Sequence, residues 1–109
     1  MAELRTYHPL HPGEPLRKRA PEVDEHGNAL SDFMMIFPGL RKQPPHQVQD
    51  AIAKMQAVLA RYTHAVVFVE LNLRLNLLWV SVRPITGIRY EIAQAIRELI
   101  PSARLVAHI

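Results

Sequence analysis

Six histidines and one basic loop hold most of the residues in this 109-residue chain whose types suit binding chemistry. His8 and His11 stand three apart, and His26 follows Asp24 and Glu25. Imidazole and carboxylate groups bind transition metals, but flexible pairs of them hold a metal only weakly. His46 falls in the first turn of an expected helix and His64 at the start of an expected strand, where polar residues are ordinary. His108, in Leu105-Val106-Ala107-His108-Ile109, is the one weak metal candidate. The chain has no cysteine, which excludes disulfides, iron–sulfur clusters, thiolate zinc sites and a cysteine nucleophile. No Ser, His and Asp are spaced so that a triad can be argued. The expectation is a non-catalytic protein with no cofactor.

The loop Pro38-Gly39-Leu40-Arg41-Lys42-Gln43-Pro44 is the best anion site on offer. Arg41 and Lys42 stand just ahead of an expected helix, where backbone N–H groups and the helix dipole favour negative charge. Gly39, Arg41 and Lys42 are therefore the candidates for a small anionic effector. Thirteen Lys and Arg against ten Asp and Glu give a net charge of +3, too mild to require a nucleic-acid partner.

These residues need a scaffold, and the chain supplies two unlike segments. Residues 1–30 carry Pro9, Pro12, Pro15 and Pro21, a basic Arg17-Lys18-Arg19 cluster and few apolar residues, none of them periodic. Such a stretch reads as a tail, disordered or laid across the domain. It has no apolar stretch of the kind that opens a secretory signal, and no run in the chain reaches the ~18 apolar residues that span a bilayer. The expected location is the cytoplasm, with no membrane insertion.

Residues 31–109 form one domain. Phe33 to Phe37 is an apolar run ended by Pro38-Gly39, which suits a strand. Val48, Ile52, Met55, Leu59 and Tyr62 recur at helical spacing after Pro44-Pro45. His64 to Leu77 alternates as a strand does, but is too long for one strand. A turn is expected at Leu73 to Asn76, with Asn76 in the left-handed conformation, before a return strand from Leu77 to Arg83. A second helix is expected from about Ile88 to Ile100, and a last strand from Arg104 to Ile109.

Strand, helix, strand, strand, helix, strand is the split βαβ arrangement. With right-handed crossovers it gives a four-stranded antiparallel sheet in the order 4-1-3-2, both helices on one face. The class is α+β, and the topology resembles the ferredoxin-like superfold.

The helix-free face is expected to be apolar. Alternation places Val66, Phe68, Glu70 and Asn72 on it, with Leu77, Trp79, Ser81 and Arg83 from the return strand. Either Phe33, Met35 and Phe37 or Met34 and Ile36 must join them. A patch centred on Phe68, Trp79, Leu77 and Val66 marks an interface. Three covers suit it: a second copy, the N-terminal tail through Tyr7, Leu10 or Leu16, or single-stranded RNA stacked on its aromatics. The chain length and topology resemble dimeric α/β barrel proteins, which implies a homodimer. The return strand lacks the Gly-aromatic-Gly pattern of RNA-recognition motifs, which argues against nucleic acid. The expected function is a small homodimeric binding or regulatory module using this face for itself or a protein partner.

Two further resemblances name alternatives. Residues 65–109 are weakly similar to the cytoplasmic domain of cation diffusion facilitators, which implies a metal ligand at His108. That family tends to place a His along the second helix where this chain has Ile92 and Ala93. Gly39-Leu40 partly resembles the ligand loop of ACT domains, which implies an effector there.

Overall fold

Proline and glycine punctuate the elements. The computed structural model describes residues 4–7 and 23–106. Its strands are β1 (Leu4–Tyr7), β2 (Ser31–Ile36), β3 (Val66–Asn72), β4 (Leu77–Val82) and β5 (Arg104–Leu105). Its helices are α1 (Pro45–Leu59) and α2 (Ile88–Leu99), with short 3-10 turns at Leu40–Lys42 and Ala60–Tyr62. Pro45 opens α1, where its missing N–H would have had no helical partner anyway. Gly87, at φ 76°, leads into α2 from the left-handed region that favours glycine. Ile100 leaves the helical conformation at φ −129°, as a residue before proline tends to do. Between β3 and β4 the chain turns over residues 73–76, and Asn76 has φ 53°, as the sequence leads one to expect.

β2 and β3 both run antiparallel to β4, and β5 runs antiparallel to β2. Counted from β2, the four strands stand in the expected order 4-1-3-2. The fold is an α+β one with the ferredoxin-like topology. Phe33, Met35, Phe37, Val69, Leu71, Leu78, Val80 and Val82 point to one side, against Met55 and Val58 of α1 and Ile92 and Ile96 of α2. That choice resolves the two-sided first strand: Met34 and Ile36 take the other face. Each large side chain so buried contributes about 1.5–3 kcal/mol.

Two features depart from the alternation and tail readings. Leu4–Tyr7, read from sequence as part of the tail, adds a fifth strand to the sheet edge, parallel to β3 with Leu4 opposite Val69 and Tyr7 opposite Asn72. Ahead of β2, Val23 bridges Ala29 around a turn closed by Asp24. The second departure is at Val66. It was expected on the helix-free face with Phe68, but it lies in the core at 3% exposure. A register shift between Val66 and Phe68 is the cause: an extra residue in β3 moves Val66 to the other side, and leaves Val67 half-buried. No helix among the described residues is long and apolar enough to cross a membrane.

Candidate interaction face

Strand pairing builds the helix-free face in rows. Met34 stands opposite Trp79, and Trp79 opposite Glu70. On one side of that row lie Asp32, Ser81 and Phe68; on the other lie Ile36, Leu77 and Asn72. Backbone register extends two of these rows into β1, with Arg5 beside Glu70 and Tyr7 beside Asn72. The face thus gathers five apolar residues, Met34, Ile36, Phe68, Leu77 and Trp79, around two carboxylates.

Exposure across this face is uneven. Ile36 is 38% exposed at one end, while Trp79 is 8%, Glu70 7% and Ser81 2% exposed. Trp79 is buried, yet it is not part of the core between the sheet and the helices. Its indole Nε1 is buried and has no hydrogen-bond partner among the described residues. A buried donor left so typically costs about 1–3 kcal/mol.

Of the four residues on which the patch was centred from sequence, three lie on this face: Phe68 and Leu77 half-buried, Trp79 buried. Val66 is not, for the reason given above. Glu70 and Ser81 show a polar character at the centre that apolar patterning does not weigh.

The basic loop has a more occupied geometry than its sequence suggests. Gly39 sits at φ 75° and Leu40 is buried, which pins the loop to the core. The backbone N–H of Leu40 donates to Phe37, that of Lys42 to Gly39 and that of Gln43 to Leu40. The N–H of Arg41 donates to Asn76 Oδ1 at 2.8 Å. The backbone N–H groups of Leu40, Arg41, Lys42 and Gln43 are thus all engaged within the fold. The Arg41 guanidinium also reaches the Arg74 carbonyl at 3.3 Å, beside an open hollow of ≈ 380 Å³ lined by Arg41, Val48, Leu73 and Arg74. An anion beside Arg41 and Lys42 would rest on their side-chain charge and not on their own backbone N–H groups.

A second hollow, of ≈ 280 Å³, opens at the start of α2 between Arg83, Gly87, Arg89 and Tyr90. Arg83 is paired with Glu25 at 2.7 Å, and Arg89 reaches the carbonyl of Asp32 at 3.5 Å. Arg83 leans towards the turn before β2 and Arg89 towards β2 itself.

The three histidines among the described residues do not converge. His26, His46 and His64 are exposed and lie on separate elements; His64 tilts against the Tyr62 ring at 6.2 Å. No group of three His, Cys, Asp or Glu that could hold a metal occurs among the described residues. His8, His11 and His108 lie outside the described residues.

Titration shifts gather at the turn before β2. The backbone N–H of Asn28 holds the Asp24 carboxyl below its ordinary value, and the His26 N–H and the Asn28 side chain add to that. Glu25 is lowered by its own backbone N–H and then by Arg83. Burial raises the Tyr62 phenol, and a hydrogen bond with Glu91 raises it further. None of these groups lies on the helix-free face.

No protein family, curated protein or solved structure matches this chain.

Proposed function

We propose that the protein is a non-catalytic binding or regulatory module whose working surface is the helix-free face of its sheet, and that a second copy of the chain docks there. One observation carries this reading. Met34, Ile36, Phe68, Leu77 and Trp79 share a face on which neither helix packs. An antiparallel sheet tolerates water on one face when that face is polar. An apolar face needs a cover, and sheet stacked on sheet is a stable way to supply one. Aromatic anchors in such a centre carry a large share of association energy.

Sedimentation equilibrium tests the reading. The wild type is expected to dimerise at about 100 μM, because association follows mass action. Trp79→Ala is expected to weaken the dimer by about 2 kcal/mol, roughly 30-fold in dissociation constant. A wild type that stays monomeric at that concentration overturns self-association as the use of this face.

A further inference from the structure

The hollow between the basic loop and the tip of the β3–β4 hairpin has the make-up of a ligand site. It holds ≈ 380 Å³ and is lined by Arg41, Val48, Leu73 and Arg74. Small-molecule sites are of this size, and they join an apolar floor to a few placed polar groups. Val48 is buried on α1, and Leu73 packs against the same core from the turn between β3 and β4. Both floor residues belong to the helical side of the sheet, away from the proposed docking face.

The charge beside that floor is unbalanced. Arg41 comes from the loop and Arg74 from the hairpin, thirty-three positions apart, and both are exposed. Neither pairs with a carboxylate among the described residues. The hollow at the start of α2 differs in this respect, because Glu25 already takes Arg83 at 2.7 Å. Two like charges that line one hollow repel each other, and an anion held by both relieves the repulsion.

Backbone bonds fix the two walls relative to each other. Asn76 Oδ1 accepts the Arg41 N–H at 2.8 Å, and the Asn76 carbonyl accepts the Phe37 N–H at 2.8 Å. The Arg41 guanidinium donates one N–H to the Arg74 carbonyl at 3.3 Å. A guanidinium has further N–H groups to offer after one such bond. The Arg74 side chain makes no hydrogen bond among the described residues, so all of its donors are open to a ligand.

The lining also selects the ligand. Planar guanidinium forks match a carboxylate through paired N–H···O bonds. No hydroxyl, amide or carboxylate side chain lines the hollow. An amino or hydroxyl group on the ligand would therefore lie there without a side-chain partner, which disfavours amino acids and sugars.

We infer that this hollow binds a small amphipathic monocarboxylate, with its carboxylate on Arg41 and Arg74 and an aryl or short alkyl body on Val48 and Leu73. The site does not rest on the docking face, and sedimentation reads that face separately.

Phenylacetate is the probe, titrated into the full chain while amide resonances are followed by NMR. The amides of Arg41, Val48, Leu73 and Arg74 are expected to shift saturably, with a dissociation constant on the order of 1 mM for so small a fragment. Acetate has the charge without the body, and 2-phenylethanol the body without the charge. Each is expected to bind about tenfold more weakly than phenylacetate. Arg41→Gln and Arg74→Gln should each weaken phenylacetate about tenfold and leave 2-phenylethanol unchanged. Since the Arg74 side chain holds nothing in the described fold, Arg74→Gln carries the test if Arg41→Gln does not fold. No saturable shift with phenylacetate in the millimolar range overturns the inference. So does equal binding of 2-phenylethanol, which would make the hollow merely apolar. Equal binding of acetate or inorganic phosphate overturns it too, because the site would then be basic surface without a floor.

Discussion

Asn76 binds Arg41 across thirty-five positions of sequence: its side-chain oxygen accepts the Arg41 backbone N–H at 2.8 Å. The same residue turns the β3–β4 connection at φ 53°, and its carbonyl accepts the N–H of Phe37 at 2.8 Å. One side chain thus holds the hairpin tip against the loop that leads into α1. Asn76→Gly keeps the turn and loses the side-chain bond, so it is expected to cost about 1 kcal/mol. Asn76→Ala loses the bond and forces a left-handed alanine, for a total of about 2–3 kcal/mol. Urea unfolding of the two variants checks the order. Equal losses would mean that backbone conformation contributes nothing at this turn.

The irregularity in β3 makes neighbouring valines unequal. Val66→Ala removes a buried side chain and is expected to cost about 2 kcal/mol, whereas Val67→Ala, half-buried, should cost less than about 1 kcal/mol. Chemical denaturation separates them. The reverse order would return Val66 to the face that simple alternation assigns to it.

Acid should loosen the turn before β2. Asp24 and Glu25 both have lowered carboxyl values in the folded chain. A group lowered on folding contributes stability above its unfolded value, near about 4, and loses it as pH falls through the folded value. The amide resonances of His26 and Asn28, which donate to Asp24, are expected to titrate with a midpoint below about pH 4. Asp24→Asn should abolish that transition. Amide shifts that stay flat to about pH 2 would remove the carboxylate from the account.

Local residues made most of the fold legible. Val48, Met55 and Leu59 sit at helical spacing, and all three are buried on α1. Asn76 is the residue in its turn best suited to a left-handed backbone, and it takes that place. The irregularity at Val66 was not legible, because a strand of valines gives no local sign of where an extra residue enters. Nor was β1, since Leu-Arg-Thr-Tyr becomes a strand only by pairing with residues far along the chain. In the basic loop, Arg41 and Lys42 signal charge plainly. That Asn76 engages the Arg41 N–H depends on a hairpin tip brought near in space.

The parallel pairing of β1 with β3 also sets an order in time. Leu4 is made sixty-five residues ahead of its partner Val69. At roughly 5–20 residues per second, the first strand waits several seconds on the ribosome before the edge it joins exists. During that interval β2 and α1 emerge and neither can seat it. β1 is thus made before the edge it joins and docks late.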